Sequence, residues 1–192
     1  MMKSVRLLLP FACAAILLAA GDTIPAADTA LHIDPAQTRV EFTLADVIHT
    51  VHGNFSLKRG DIRFDTATGK ASGELVVDAT SGSSGSPARD RHMHSQILQS
   101  TRYPEIIFRP DLVEGKVAPE GTSQVQLHGM FVIHGSEHEI VMPLEVDAVD
   151  GQFTATGKFV VPYVKWGMKN PSTLFLRVSD KVEIEIRTVA HR

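Results

Sequence analysis

The chain has 192 residues, with 19 Lys and Arg against 22 Asp and Glu and a formal net charge of −3. This mildly acidic balance argues against nucleic-acid binding, because proteins that track phosphate backbones carry clustered Lys and Arg. The one cysteine, Cys13, lies in an apolar amino-terminal run, so the rest of the chain has no thiol for a disulfide, for nucleophilic catalysis or for a metal. We therefore expect a fold held together by burial of apolar surface.

Residues 1–27 are predicted to form a secretory signal peptide. Lys3 and Arg6 precede an apolar run over 7–20, and about 14 residues are too few for a membrane-spanning helix, which needs roughly 20. Cleavage after Gly21, or later after Ala26 or Ala27, fits the small-residue rule. A lipid anchor at Cys13 is the alternative, but cutting there would leave almost no apolar segment upstream. The sequence thus predicts a periplasmic protein with one domain over 28–192 and no stable membrane span.

From residue 39 onward the apolar residues alternate with period two, which is typical of strands with one buried face. The alternation predicts strands over 39–44, 54–58 and 61–64. A hairpin turn over 65–70, with Gly69 at positive φ, and a strand over 72–80 should follow. Residues 81–87 are rich in Gly and Ser and predict a connection without ladder pairing. Ser86 and Pro87 then suit the N-cap and first position of a helix over 87–98.

A Tyr103-Pro104 step passes from this helix to another strand, and the second half consists of predicted hairpins. Alternating stretches cover 124–133, 139–146, 153–161 and 182–187, and Asp150-Gly151 is a strong two-residue turn signal. About eight strands with short turns favour an antiparallel barrel over a sandwich, because closure removes the exposed strand edges. A barrel of this size holds either packed side chains or one small ligand.

Several motifs, weak alone but specific in their order and spacing, resemble the YceI-like family. The resemblance extends from about Leu31 to Ala190. It is carried by Val40-Glu41-Phe42-Thr43-Leu44, Val51-His52-Gly53-Asn54-Phe55, Arg89-Asp90, Tyr103-Pro104-Glu105-Ile106-Ile107-Phe108, Val132-Ile133-His134-Gly135 and Leu176-Arg177-Val178-Ser179-Asp180-Lys181-Val182-Glu183-Ile184.

The resemblance implies an all-β fold, an antiparallel eight-stranded lipocalin-like barrel with one short helix inserted between strands. It also implies a tunnel that takes an isoprenoid chain, with no metal or cofactor. Two segments depart from the common pattern: Arg91-His92-Met93-His94 after Arg89-Asp90, and residues 161–167. These departures predict a different lipid or a different mode of binding.

The predicted function is to bind and sequester or transport an isoprenoid or similar long apolar lipid, such as a quinone-like molecule, without catalysis. A filled core is the alternative to a ligand cavity. Burial of a few hundred Å² at about 25 cal/mol per Å² would give micromolar affinity after association costs. The candidate apolar contacts are Phe42, Leu44, Phe55, Leu57, Phe64, Phe108, Phe131 and Phe159, with Phe153 and small residues between them.

A polar rim for a head group is predicted from Arg91 and Lys165, with Trp166 and His92 beside them. Arg89-Asp90 is interpreted as a salt bridge at the helix start, with head-group contact as the alternative. A symmetric homodimer stays open, because this is the commonest oligomer of soluble proteins.

A metal-dependent periplasmic enzyme is the alternative function. It would use His92 and His94, or His128, His134 and His138 across one hairpin. Residues two apart on a helix point about 200° from each other, and six strand residues span about 20 Å, so neither set predicts a shared ion. The chain also lacks Gly-x-Ser-x-Gly, His-Glu-x-x-His and a glycine-rich phosphate loop. We therefore expect no catalytic residues and no metal site.

Overall fold

The computed structural model describes residues 28–45, 50–174 and 176–192, and the predicted signal peptide lies outside them. The described elements are nine strands and one α-helix, with a short 3-10 turn and a π-helical turn given below. In chain order they are β1 Asp28–Ile33, β2 Arg39–Ala45, β3 Thr50–Asp65, β4 Ala71–Ser83, α1 Pro87–His92, β5 Glu105–Glu114, β6 Gly121–Ile133, β7 Ser136–Val149, β8 Gln152–Val161 and β9 Val182–His191. Within these ranges, no helix is long and apolar enough to cross a bilayer.

The strands form a closed antiparallel barrel. Each pairs with its neighbour in the order β3, β2, β9, β8, β7, β6, β5, β4, and β4 pairs back onto β3. Strand β1 lies in line with β2 between β3 and β9, so β1 and β2 together fill one of eight positions around the barrel. The predicted eight-stranded antiparallel barrel with one short helix is confirmed.

Strand β1 was not predicted, although Thr29 and Ile33 are buried and Ala30 and His32 are exposed. A short 3-10 turn, Pro35–Gln37, separates it from β2. Pro35 has no N–H to donate to a ladder, and the Asp34 carboxylate accepts the Ala36 N–H at 2.8 Å. The 3-10 turn therefore divides one position of the barrel between two short strands, and the sequence predicted only the second of them, β2.

Strand β3 joins the two predicted strands 54–58 and 61–64. The inward face is carried by odd-numbered residues up to Leu57 and by even-numbered ones from Gly60 to Phe64. The register against β4 shifts between Leu57 and Arg59, and a bulge of this kind exchanges the two faces of a strand. The change from odd-numbered to even-numbered inward residues, which the sequence analysis interpreted as a break between two strands, is therefore a bulge within one strand.

The connection after β4 and the helix also differ from expectation. Strand β4 continues to Ser83, which pairs with Asn54 on β3, and Gly82 leaves room for the Phe55 ring and the Met93 side chain. The predicted helix over 87–98 begins correctly at Pro87, but its α-helical part ends at His92. Met93–Ile97 forms a wider π-helical turn, in which the Leu98 N–H donates to the Met93 carbonyl at 2.9 Å.

The two ends of the barrel are unlike. Residues 84–104, which connect β4 to β5, and residues 162–181, which connect β8 to β9, lie at one end, here called the helical end. Short connections over 66–70, 115–120 and 150–151 lie at the opposite end. Two of these were predicted as turns, and Asp150 and Gly151 both take positive φ, as a tight hairpin turn requires.

Candidate functional site

The barrel encloses a cavity of about 610 Å³ lined mainly by apolar side chains. This volume falls within the range of ordinary small-molecule sites. Its walls come from the inward faces of all the strands, and the helical segment and residues 171–178 contribute at the helical end. Among the described lining residues, the polar side chains are Ser84, Arg89, His92, Tyr163 and Thr188. The first four lie at the helical end, so the cavity is apolar along its length and polar at one end.

Most of the predicted apolar contacts come together around this cavity. The predicted residues that line it are Phe42, Leu44, Phe55, Phe64, Phe108, Phe131 and Phe159. Phe42 and Phe55 lie with ring centroids 5.5 Å apart, and Phe131 meets Phe159 edge-on at 5.7 Å. Leu57 is buried in the surrounding core but is outside the lining. Their roles as ligand contacts stay predictions.

The residues of the predicted polar rim lie in the two segments at the helical end, but most are outside the cavity lining. Arg91 and Lys165 are exposed and outside the cavity lining. Trp166 is half-buried, packing against Phe131 at 5.9 Å between ring centroids, and also lies outside the lining. Of the residues predicted near this rim, only His92 reaches the cavity.

Arg89 supplies the positive charge of the cavity lining, a place that the sequence analysis considered only as the alternative to a salt bridge at the helix start. Its Nε donates to the Ser84 hydroxyl and its second guanidinium nitrogen to the Ser84 carbonyl, both at 2.8 Å. Asp90 accepts the Ser84 N–H at 2.8 Å and also its hydroxyl. Hydrogen bonding from Ser84 lowers the pKa of the Asp90 carboxyl. Arg89 and Asp90 thus fix the start of the helix by meeting on Ser84, which corrects the predicted direct salt bridge.

Residues 162–181 cover part of the helical end. Tyr163 is buried and lines the cavity, and its hydroxyl donates to the Ser179 carbonyl at 2.6 Å. Burial, with the nearby Asp180 charge, raises the pKa of Tyr163 to about 12. The Ser179 N–H in turn donates to the Ala45 carbonyl at 2.9 Å, at the end of β2. The first bond joins the beginning of residues 162–181 to their end, and the second holds that end against β2.

His138 anchors the same segment from β7. It is paired directly with Phe131 in the ladder, so both side chains point inward. Its ring stacks on Trp166 with centroids 4.0 Å apart and planes 4° from parallel. Among the described residues, its Nε2 is buried without a hydrogen-bond partner, and desolvation lowers the pKa of His138.

Stability should fall when the pH decreases from neutral towards 5. Because the folded pKa of His138 lies below its ordinary value of 6.5, the unfolded chain takes up this proton first and is favoured in that range. We expect His138→Phe, which keeps a ring against Trp166, to reduce the pH dependence of the unfolding free energy. Urea unfolding at a series of pH values measures it. His52→Phe, an exposed control on β3, should keep the original slope, and equal slopes for all three proteins would contradict this role of His138.

The other histidines of the alternative hypothesis have separate contacts. His94 bonds the Gly82 carbonyl at 2.9 Å and the Ser100 hydroxyl at 3.0 Å. His128 lies 3.1 Å from the Glu114 carboxylate, and His134 packs against Tyr103. In the described part of the chain, no three His, Cys, Asp or Glu side chains are grouped as metal ligands would be.

The comparisons with known proteins agree with this architecture. A model of the YceI-like domain matches residues 31–190. BcnA from Burkholderia cenocepacia is similar in structure, with a TM-score of 0.68 at 17% identity over 82% of this chain and 98% of that one. A polyisoprenoid-binding domain from Saccharophagus degradans, implicated in plant cell wall breakdown, gives 0.65 at 12% identity over 84% and 97% of the two chains.

A YceI protein from Campylobacter jejuni gives a TM-score of 0.60 at 21% identity, covering 76% of this chain and 86% of its own. No curated protein matches the sequence. At these identities, the similar structures establish the barrel fold alone. The predicted family resemblance is confirmed by the match over 31–190.

Proposed function

Because the chain belongs to the YceI-like domain family, we propose that it binds a polyisoprenoid or similar long apolar lipid inside its barrel. The observation that carries this proposal is the cavity of about 610 Å³ with its almost wholly apolar lining. A similar barrel from Saccharophagus degradans is described as polyisoprenoid-binding. Burial of a prenyl chain against such a lining stabilises the complex by about 25 cal/mol per Å².

The proposal includes sequestration or transport in the bacterial cell envelope, without chemical change to the lipid. The predicted signal peptide supports a periplasmic location. The polar side chains of the lining gather at the helical end, so the prenyl chain would fill the apolar length and its head group would lie near Arg89 and His92.

Calorimetric titration with prenyl alcohols of increasing length tests this function. We expect micromolar dissociation constants, a negative heat-capacity change from apolar burial, and affinity that rises with chain length until the cavity is filled. Linear alcohols of matched carbon number provide the comparison for branching. A folded barrel that takes up no alcohol of any length would contradict the proposal.

Replacement of Arg89 should affect charged head groups selectively. A charge-assisted hydrogen bond contributes about 1.5–3 kcal/mol, so we expect Arg89→Met to weaken binding of a prenyl phosphate by roughly 10- to 100-fold. Binding of the corresponding prenyl alcohol should change little. Arg89→Lys, which keeps the charge, should retain much of the preference for phosphate in the same titrations.

The double variant Arg91→Met with Lys165→Met distinguishes the cavity arginine from the rim predicted by sequence. If the double variant loses phosphate preference and Arg89→Met keeps it, the exposed rim binds the head group and Arg89 only holds the loop through Ser84.

A further inference from the structure

Positive charge is concentrated at the helical end. The two long connections at this end, 84–104 and 162–181, contain seven Lys and Arg and two Asp, in a chain whose formal net charge is −3. The connections at the opposite end, 66–70, 115–120 and 150–151, contain two Lys, one Glu and one Asp. The barrel therefore presents a basic surface at the end where the cavity has its polar lining.

Five of the cations at this end are available to bind an external anion. Arg91, Lys165, Lys169, Arg177 and Lys181 are all exposed, and none forms an ion pair with any residue that the structure describes. We call these five residues the basic face.

Four cations on the barrel wall are paired with carboxylates. Lys58, Arg59, Arg109 and Lys158 each lie within 4.0 Å of a Glu carboxylate. In each of these pairs a carboxylate on another strand neutralises the positive charge. The basic face lacks such carboxylate partners among the described residues, so its charge remains available for an external anion.

Backbone and side-chain hydrogen bonds hold the beginning of residues 162–181 next to their end. Asn170 Nδ2 donates to the Val178 carbonyl at 3.2 Å, and the Val164 N–H donates to the Asp180 carbonyl at 3.4 Å. Lys169 and Arg177 are next to the first pair in sequence, and Lys165 and Lys181 are next to the second. Four charges of the basic face therefore lie on one folded segment, residues 162–181, and the fifth, Arg91, lies on α1.

An exposed apolar side chain lies on the same segment, residues 162–181. Leu174 is 90% exposed, the most exposed of the large hydrophobic residues on the described chain. The Thr173 N–H donates to the Leu176 carbonyl at 2.8 Å, which forms a turn around it. An exposed leucine on a segment that also carries four exposed cations matches the interface of an anionic bilayer, where head groups attract the charge and the acyl boundary accepts the apolar group.

We propose that the helical end docks on membrane surfaces rich in anionic lipid. The basic face meets the phosphate head groups and Leu174 enters the interface, which places the polar end of the cavity against the bilayer. The exposed leucine favours a bilayer over an acidic protein surface. This docking goes beyond the lipid-binding function and does not require an occupied cavity.

Co-sedimentation with phosphatidylcholine vesicles, with and without phosphatidylglycerol, tests the docking. The protein should bind the anionic vesicles, bind the neutral ones weakly, and dissociate as salt screens the charges. Removal of each basic side chain costs about fivefold, so Lys169→Gln, Arg177→Gln and Lys181→Gln together should weaken binding by on the order of 100-fold.

The matched control changes Arg39, Arg63 and Arg187 to Gln. These exposed wall residues on β2, β3 and β9 carry the same total charge, so binding should remain close to that of the unaltered protein. An equal loss for the wall variant would overturn the proposal, as would a failure of the unaltered protein to bind anionic vesicles.

Leu174→Ser tests insertion separately from charge. We expect up to about tenfold weaker binding to anionic vesicles, with an unchanged melting temperature because the side chain is exposed. Unchanged vesicle binding would overturn the insertion of Leu174. Both sets of variants should still bind prenyl alcohol in solution, so failure of the docking and failure of the proposed lipid binding are separate outcomes.

Discussion

Ala155→Trp should weaken binding of a long prenyl alcohol by at least about 100-fold while the barrel stays folded. Ala155 lies on β8 and lines the cavity, where it is paired with Val146 on β7 and Thr188 on β9. A tryptophan ring buries roughly 150–250 Å², which at about 25 cal/mol per Å² removes several kcal/mol of ligand burial. The cavity gives the ring space that a filled core would not. Calorimetric titration and thermal melting measure the two effects.

Thr156→Trp is the matched control for this change. Thr156 is the next residue of the same strand and pairs with Glu145 and Arg187 on the outer face. We expect the control to bind the alcohol normally. If Ala155→Trp binds as well as the control, the ligand does not occupy this part of the barrel. If it unfolds, the cavity is smaller than described and the lumen behaves as a filled core.

The second large effect concerns the wall of the barrel. Gly53→Ala should lower the unfolding free energy by about 2–3 kcal/mol, because a Cβ there would overlap both the Phe42 ring and the Ser83 carbonyl oxygen. Gly53 lies directly opposite Phe42 in the ladder, so the ring occupies the space that a side chain would need. The melting temperature should decrease by about 5–10 °C.

Phe42→Leu in the Gly53→Ala background tests the cause. The shorter side chain removes the ring atoms that overlap the new Cβ, but it leaves the Ser83 carbonyl in place. We therefore expect partial recovery, measured as a coupling energy in a double-mutant cycle. Additive losses for the two changes would show that the ring does not clash with the new Cβ.

The sequence predicted the barrel well because its main signal is local. Inward and outward residues alternate along each strand, and the Asp150-Gly151 turn has a fixed chemistry. The errors occur where contacts between distant residues decide the outcome. The bulge in β3 exchanges its faces near Arg59, and Gly82 lies within β4, where the Phe55 ring from another strand occupies the space that a side chain would need.

The candidate site was predictable to a similar degree. Aromatic residues on inward faces come together because closure of the barrel brings all inward faces to one lumen. The polar end depends on the direction of each side chain in irregular segments, for which alternation gives no rule. Arg89 reaches the cavity and Arg91, two residues later, does not. Periodicity of a helix could have separated them, but it could not have indicated which one faces inward.

Native mass spectrometry of the protein purified from its own envelope, followed by solvent extraction, shows directly whether the barrel carries a lipid. We expect an additional bound mass that is released by the solvent and has the composition of a prenyl chain lipid. We also expect that the Ala155→Trp protein, purified in the same way, lacks this mass. A folded protein that carries no lipid and takes up none from added prenyl alcohol would contradict the proposed lipid binding.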